Sequence, residues 1–324
     1  MLSNWTHAGA SAVSAMALLA AAAVQATQKP AQTPAAPAST ERAPLAALWS
    51  EPEPGRDLYY GIGGSRLAPN PSDTYHVLEI KLRGFSEGYT VSDSTEREWS
   101  VKLPSEATTE VVASRIHWAL GYHQPPVYLM REWQAKGAVA PNPQLPARFR
   151  EKKPDFHGIE AGSTWSYKDN PFVGTREWAG LLVLQAIIAN PDLKDSNNTI
   201  YTLKEPAEGA KQWYVIRDLG YSFGSAAFNS PRADVDAFER APFIRDVVDG
   251  RVRFHFGGQY GSRLKNTTVA DVHWICERLS RLTDRQWRDA FRAGAYESSI
   301  ADRYIARLKA KIAEGLALRE TSRE

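Results

Sequence analysis

A short polar segment, "PDLKDSNN" at residues 191–198, directly follows a strongly apolar stretch of the chain. It contains Asp192, Lys194 and Asn197, and a further carboxylate, Asp218, follows in "RDLG". Transfer of a phosphoryl group requires a protein to hold a triphosphate, to neutralise its charge with lysine and a divalent metal, and to place a carboxylate beside the accepting hydroxyl. The two segments supply side chains of the types that this chemistry needs.

Two further candidates lie upstream. Lys102 lies in the alternating run "WSVKL", and Glu110 lies in "SEATTEVVASRIHWALGY". The chain therefore presents a lysine on a strand, a glutamate on a helix, the polar segment, and an aspartate after a strand pair, in that order. Each residue alone is common in proteins, but their joint order favours one phosphate and metal site.

Alternation of apolar and polar residues predicts antiparallel hairpins over residues 74–103, with turns at "RGFSEG" and "DSTE". The pattern then changes to helical periodicity in the segment that carries Glu110, with Ser105 as N-cap and Gly121 after the last turn. A short strand, "PVYLM", follows. These elements predict a small sheet with one helix.

Residues 131–170 are rich in proline, glycine and charge, which indicates an irregular connector. Next, "TREWAGLLVLQAIIAN" predicts an apolar helix that ends at the polar segment, and "TIYTL" and "QWYVIRD" predict two strands. The C-terminal part is predicted to be mainly helical, with a strand and loop at "RFHFGGQYG" on the acceptor side of a cleft. The sequence thus predicts an α+β fold in which a rigid helix carries the polar segment.

The segment "DLKDSN" resembles the catalytic loop of the protein-kinase-like superfamily, and "RDLG" resembles the D-F-G element that follows it. The resemblance implies that Asp192 is the catalytic carboxylate beside the acceptor and that Lys194 contacts the transferring phosphoryl group. It also implies that Asn197 and Asp218 bind magnesium or manganese. The implied fold has two lobes, a small N-terminal antiparallel sheet with a helix and a larger, mainly helical C-terminal lobe.

The resemblance extends upstream to the nucleotide. It implies that Lys102 contacts the phosphates of ATP and that Glu110 keeps this lysine in place, at an ion-pair distance of about 4 Å. Glu106, one helical turn earlier, is the alternative partner. The turn "RGFSEGYTV" offers Gly84 and Gly88 to the nucleotide.

Several positions depart from the superfamily pattern. Asn190 and Pro191 stand where protein kinases have His and Arg, Leu219 replaces the Phe, and the glycine-rich loop lacks a full G-x-G-x-x-G. These departures indicate a member nearer to the divergent bacterial, aminoglycoside and lipid-kinase-like branches. The acceptor is therefore predicted only as a hydroxyl group on a protein, a lipid or a small molecule.

Composition argues against several other classes of protein. The formal net charge of +2, from 39 basic and 37 acidic residues, provides no strong field for binding nucleic acid. The seven histidines form no zinc-binding motif, and no serine lies in a G-x-S-x-G setting. A single cysteine, Cys276, excludes an intramolecular disulfide bond.

The first residues are typical of an export signal. Residues 8–24 are small and apolar and lead to a site that signal peptidase accepts, so residues 1–26 are predicted to be a cleaved signal peptide, with an uncleaved membrane anchor as the alternative. A Pro/Ala-rich linker is predicted over 27–48, an N-lobe over 49–131 and a C-lobe over 132–324. The predicted location is secreted or periplasmic.

These observations predict an ATP- and metal-dependent phosphotransferase that acts on a hydroxyl acceptor outside the cytoplasm. Two alternatives stay open. An inactive pseudokinase could use the same fold for binding or scaffolding, and an AMP transferase could move a different part of the nucleotide. The presence of Lys102, Asp192, Asn197 and Asp218 together favours catalysis, because a scaffold has no need of the complete set.

Overall fold

The computed structural model describes residues 46–81, 87–104, 106–137, 145–207, 209–227 and 231–319. Within these ranges the chain forms twelve β-strands and six α-helices. The strands are β1 (Ala46–Ala47), β2 (Thr74–Lys81), β3 (Gly88–Ser92), β4 (Glu98–Lys102), β5 (Tyr128–Met130), β6 (Gln134–Lys136), β7 (Ala147–Glu151), β8 (Glu160–Ala161), β9 (Asn198–Ala207), β10 (Ala210–Ile216), β11 (Ile244–Val248) and β12 (Arg251–Phe254). The helices are α1 (Ala107–Ala119), α2 (Arg176–Ile187), α3 (Val235–Arg240), α4 (Val269–Ser280), α5 (Asp284–Ala293) and α6 (Ser298–Leu316).

The larger sheet has six strands in the order β5-β7-β4-β3-β2-β6. Successive side chains of a strand point to opposite faces, and here one face packs into a hydrophobic core while the other carries polar residues. In this register Lys102 lies opposite Gly88 on β3 and opposite Arg148 on β7. The core face consists mainly of aromatic and branched side chains, including Tyr89, Val91, Trp99, Val101 and Phe149.

Two strands of this sheet, β6 and β7, lie within residues 131–170, where the sequence predicts an irregular connector. That prediction was wrong, because β7 pairs with both β4 and β5. Its sequence, "ARFRE", contains two arginines, and a charged residue in alternate positions is typical of an exposed strand or a loop. Arg148 is nevertheless buried, because a partner carboxylate from α1 neutralises it.

The second sheet has the order β1-β10-β9-β8 and contains the two strands that the sequence predicts after the polar segment. β9 and β10 form an antiparallel hairpin in which Ile216 lies opposite Asn198. The residues just outside this pair, Asn197 and Arg217, therefore meet at the same end of the hairpin. β1, at residues 46 and 47 of the predicted linker 27–48, pairs with β10, and the bounds of that linker stay a prediction.

α2 is the central helix of the larger hydrophobic core. Thr175 caps its N-terminus, since the threonine hydroxyl accepts a hydrogen bond from Trp178 N at 3.2 Å. All residues from 181 to 190 are buried, as expected for a helix that other elements surround on all sides. α4 and α6 pack against α2, which gives the polar segment after it a rigid base.

The described residues form the predicted α+β fold, with most of its strands in the first two thirds of the chain and α3 to α6 in the last third. Gly121 follows α1 in the left-handed region at φ +97, as its predicted role requires. Ser105 and Gly84 lie outside the described residues, as does the predicted signal peptide. The predicted boundary between the lobes, at residues 131 and 132, stays a prediction. Among the helices that the structure describes, none is long and apolar enough to cross a membrane.

Candidate active site

Lys102, at the end of β4, lies at the centre of a cluster of three carboxylates. Its Nζ is 2.8 Å from Glu106 Oε2, 2.9 Å from Asp218 Oδ1 and 3.4 Å from Glu110 Oε2. The contact between Lys102 and Glu110 is thus within the expected ion-pair distance, and the alternative partner Glu106 is present as well. An ammonium group has three N–H donors, so three carboxylates can engage all of them.

The charges of this cluster stabilise one another. Burial alone would lower the pKa of Lys102, but Glu110, Asp218 and Glu106 outweigh that effect and raise it above its ordinary value. For Asp218 burial acts to raise the pKa, whereas the contact with Lys102 dominates and holds it below its ordinary value. Both groups are therefore charged at neutral pH.

Glu110 is held by a second set of cations that sequence reasoning missed. Arg148 Nε lies 3.0 Å from Glu110 Oε1, and Arg150 Nη1 lies 3.7 Å from the same oxygen. The side chains of Glu110 and Arg148 are 2% and 5% exposed. Burial lowers the pKa of Arg148 to about 10, which still leaves it charged at neutral pH. Glu110 thus connects β7 to Lys102 through its two oxygens.

The "DLG" segment packs against the first turn of α1. Thr109 Oγ1 donates a hydrogen bond to Gly220 O at 2.8 Å. A Cβ on Gly220 would lie 2.5 Å from Glu106 Cβ, so this approach requires glycine. Downstream, Arg232 Nη1 lies 2.9 Å from Glu106 Oε1. The segment that carries Asp218 is therefore fixed to the helix that carries Glu106 and Glu110.

The polar segment after α2 is closed by its own side chains. Lys194 Nζ lies 2.7 Å from Asp192 Oδ1. Asn197 Nδ2 donates to Asp192 O at 2.9 Å and to Asp192 Oδ2 at 3.2 Å. Asp195 Oδ1 accepts a hydrogen bond from Tyr167 N at 3.0 Å. These contacts hold Asp192 in one orientation beside Lys194, as a positioned proton acceptor requires.

Asn197 and Asp218 lie at the same end of the β9–β10 hairpin, where Arg217 N donates to Asn197 O at 2.8 Å. Because the amide nitrogen of Asn197 faces Asp192, its amide oxygen is directed away from that carboxylate. An amide oxygen and a carboxylate are ligands that suit magnesium or manganese, so these residues fit a divalent cation that also takes oxygens from phosphate or water. Among the described residues, no group of three or more His, Cys, Asp or Glu is arranged to hold a metal ion.

A buried chain of hydrogen bonds joins the polar segment to α1. Asp192 N donates to Asn190 Oδ1 at 3.2 Å, and Asn190 Nδ2 donates to Gln185 Oε1 at 2.9 Å. Gln185 Nε2 lies 2.8 Å from His117 Nε2, and His117 Nδ1 lies 2.7 Å from Ala113 O. A carbonyl only accepts, so Nδ1 carries the proton and Nε2 accepts from Gln185.

These hydrogen bonds explain one departure from the superfamily pattern. Asn190, where protein kinases have His, supplies both an acceptor for Asp192 N and a donor to α2. Burial lowers the pKa of His117 to about 4, although its bond to Ala113 acts in the opposite direction. The neutral imidazole that the chain needs is therefore the form present at neutral pH. His117 and Gln185 were not among the candidates from sequence, because nothing in their local pattern separates them from ordinary core residues.

The structure describes one of the two predicted nucleotide-loop glycines, and the part of each in nucleotide binding stays a prediction. Gly88 begins β3 opposite Lys102, and a Cβ there would lie 3.2 Å from Val101 O. Its position leaves the strand end beside Lys102 without a side chain. Gly84 is outside the described residues, so its part in nucleotide binding stays a prediction.

No protein-family model matches this chain, and no curated protein is significantly similar to it. The chain is similar to the Helicobacter pylori proinflammatory kinase CtkA, with 13% identity over 73% of this chain and 91% of that one and a TM-score of 0.43. It is similar to the Golgi casein kinase with 12% identity, over 77% of this chain and 74% of that one, with a TM-score of 0.40. The Rio2 kinase from Chaetomium thermophilum has 14% identity over 74% of this chain and 71% of that one, with a TM-score of 0.30. All three of these solved structures are of kinases.

Proposed function

We propose that this protein is an ATP-dependent phosphotransferase that uses magnesium or manganese. The observation that supports this most directly is the cluster in which Lys102 contacts both Glu110 and Asp218. A lysine held by a helix glutamate, next to a metal-binding aspartate, is the arrangement that neutralises and orients a nucleotide triphosphate.

The remaining residues have separate tasks in this proposal. Asp192 accepts the proton of the acceptor hydroxyl while the hydroxyl oxygen attacks the γ-phosphorus of ATP. The bond between the γ-phosphorus and the oxygen that leaves with ADP breaks. Lys194, 2.7 Å from Asp192, neutralises charge on the transferring group. Asn197 and Asp218 would hold the divalent cation, which supplies further charge neutralisation when bound.

Nucleotide binding requires a change of partners at Lys102, because its three donors already face three carboxylates. Glu110 is fixed by Arg148 and Arg150, so it keeps its place. Asp218 would hold the cation, and a phosphate oxygen would then take its place on Lys102. The contact between Lys102 and Asp218 keeps both charged groups close together.

We further propose that the protein acts outside the cytoplasm, on the basis of the apolar, signal-like residues 8–24. The acceptor carries a hydroxyl group and approaches Asp192. A nucleotide source outside the cytoplasm is part of this proposal, and export of the protein can be tested by fractionation of cells that express the full chain.

Nucleotide binding can be tested by thermal unfolding of the purified full chain. ATP with magnesium or manganese should raise the melting temperature by several degrees, because the ligand binds only the native state. Asp218→Ala should abolish this metal-dependent increase. Asp192→Asn, which keeps the shape of the side chain, should retain it while transfer falls by about two to four orders of magnitude.

Labelled ATP distinguishes this function from its alternatives. Incorporation of the γ label into the protein or an envelope extract, greater for wild type than for Asp192→Asn, supports phosphoryl transfer. Incorporation of the α label instead would identify an AMP transferase. Nucleotide binding with equal, background transfer in wild type and Asp192→Asn would identify a pseudokinase, and no melting shift with either metal would refute nucleotide binding.

A further inference from the structure

A cavity of about 530 Å³ lies in the C-terminal part of the chain, among residues 245–265. It is formed by the β11–β12 hairpin and the glycine-rich loop at residues 257–261. Its volume is in the range of ligand-binding clefts. The side chains that characterise it are three cationic and three aromatic ones, namely Arg245, Arg253, Lys265, Phe254, Phe256 and Tyr260.

The wall of this cavity is bonded directly to the segment that carries Asp192. Gln259 N donates a hydrogen bond to Pro191 O at 3.0 Å. A Cβ on Gly258 would lie 2.5 Å from the same oxygen, so the loop can come this close only with glycine there. The loop that lines the cavity is therefore fixed to Pro191, the residue before the proposed proton acceptor Asp192.

A second contact connects the cavity to the other side of Asp192. The ring of Tyr260 lies 5.4 Å from that of Tyr167, and Tyr167 N donates to Asp195 Oδ1. Tyr260 has φ 54, a left-handed conformation that is uncommon for tyrosine, at the N-cap of the 3₁₀ helix Gly261–Asn266. The loop that lines the cavity thus has contacts that lead to both sides of Asp192, directly at Pro191 and through Tyr167 at Asp195.

The cavity is positively charged. None of the described residues that line it is Asp or Glu, whereas three are cationic, namely Arg245, Arg253 and Lys265. Asp246 pairs with Arg253, at 2.7 Å between Nη2 and Oδ2, and lies 3.8 Å from Arg245, but it is outside the lining. Glu314 is a second carboxylate outside the lining, and it accepts from Ile244 N of β11. The two carboxylates against three cations still leave an excess of positive charge, which attracts an acidic ligand.

The hairpin also offers backbone groups to a ligand. β11 pairs with β12 on one side, and in the described part of the chain no strand pairs with its other side, although Ile244 N at the start of β11 already donates to Glu314 Oε1 at 3.0 Å. An unpaired strand edge presents N–H and C=O groups that an extended polypeptide can bind. A lipid headgroup or a small sugar has no matching row of backbone groups, so the edge favours a polypeptide ligand.

We propose that the acceptor is an acidic segment of a polypeptide, bound in this cavity with its hydroxyl residue beside Asp192. Its carboxylates contact Arg245, Arg253 and Lys265, and its backbone lies along β11. This inference rests on the proposed phosphotransferase function for the role of the hydroxyl, but the binding of the acidic segment is measurable without nucleotide.

The test uses two peptides and two variants of the full chain. One peptide has a central serine flanked by glutamates, and the other has lysines in place of the glutamates. Isothermal titration should show binding of the glutamate peptide alone, and Arg245→Glu combined with Lys265→Glu should weaken it by at least about ten-fold. Arg285→Glu combined with Lys309→Glu changes the net charge equally at residues outside the lining of the cavity and should leave the affinity within about two-fold of wild type.

Equal affinity for the two peptides, or equal weakening by both double variants, would overturn the inference. Binding to vesicles that contain phosphatidylserine, without binding to the glutamate peptide, would overturn it as well. The melting shift with ATP should be the same in both double variants and wild type. A missing ATP shift together with peptide binding that depends on Arg245 and Lys265 would refute the proposed phosphotransferase while retaining the acidic-peptide site.

Discussion

Glu110 and Glu106 both contact Lys102, but they should contribute differently to the stability of the protein. Glu110 also neutralises Arg148, and both of these side chains are almost fully buried. Removal of one partner from a buried ion pair leaves an uncompensated charge and costs about 3–5 kcal/mol. Glu110→Gln should therefore lower the free energy of unfolding by about that amount, measured by urea denaturation.

Glu106→Gln is the matched control, because it removes one carboxylate from the same lysine. Lys102 then keeps Glu110 and Asp218, and the other partner of Glu106, Arg232, is more exposed than Arg148. Its loss of stability should be smaller by about 2 kcal/mol or more. Equal losses in the two variants would contradict the assignment of Glu110 as the residue that fixes the cluster.

At the scale of elements, the hydrogen-bond chain from His117 to Asp192 connects α1 to the segment after α2. Gln185→Leu removes its central member and leaves His117 Nε2 and Asn190 Nδ2 without partners in the core. Each unpaired group lowers the free energy of unfolding by about 1–3 kcal/mol. Asn190 also loses the hydrogen bond to Gln185 that orients its side chain toward Asp192 N. We expect kcat to fall by about ten-fold or more with little change in KM for ATP.

Tyr304→Phe provides a control for this loss of stability. The Tyr304 hydroxyl donates to Phe223 O at 3.3 Å in the same core but has no contact with the segment around Asp192. Tyr304→Phe should lose stability without a change in kcat. Gln185→Asn should have a kcat as low as that of Gln185→Leu, because the asparagine side chain is too short to reach both His117 and Asn190. If kcat falls equally in Tyr304→Phe and Gln185→Leu, the effect is one of general stability and not of positioning.

The elements that could be predicted from sequence are those with a local signal. α2 is apolar throughout and begins at a threonine cap, and β9 and β10 alternate on either side of a tight turn. Lys102 and Asp218 were found because each lies next to such an element in a familiar motif. Their meeting across 116 residues of sequence follows from the packing of two predictable elements.

β7 could not be predicted in this way. The strand is stable with Arg148 inside the protein because Glu110 neutralises this arginine and Ser100 O accepts a hydrogen bond from it, and Glu110 lies on a helix far upstream. A pattern of local hydrophobicity contains no information about such a partner, so "ARFRE" has the pattern of a loop. The same reason applies to Gln185 and His117, whose function depends on a bond between two helices.

At the scale of the whole molecule, the candidate site joins two hydrophobic cores. Val101 and Leu103, on either side of Lys102, belong to the core of the six-stranded sheet. Val112 and Ile116 of α1, the helix of Glu110, belong to the larger core around α2. The ion pair between Lys102 and Glu110 therefore links the two cores. A ligand bound to Lys102 would change this link between them.

Within the described residues, the larger core is lined by a buried lysine, Lys311, that the proposed reaction does not use. Lys311 on α6 is 1% exposed, and its Nζ donates to Ile187 O at the end of α2 at 3.0 Å. The same ammonium lies 4.1 Å from the ring centroid of Phe238. Burial lowers the pKa of Lys311 to about 7, with Arg307 acting in the same direction and Glu314 against it. This lysine therefore connects the stability of the whole core to pH.

Lys311→Met should change how stability depends on pH. Between about pH 7 and pH 10.5 the unfolded chain binds a proton at Lys311 that the folded chain does not, so the free energy of unfolding of wild type rises with pH across this window. The rise is on the order of a few kcal/mol and is absent in Lys311→Met. Urea denaturation across this pH range measures it, and Lys309→Met, an exposed lysine on the same helix, should retain the slope of wild type. Equal slopes in wild type and Lys311→Met would show that Lys311 keeps its proton when buried.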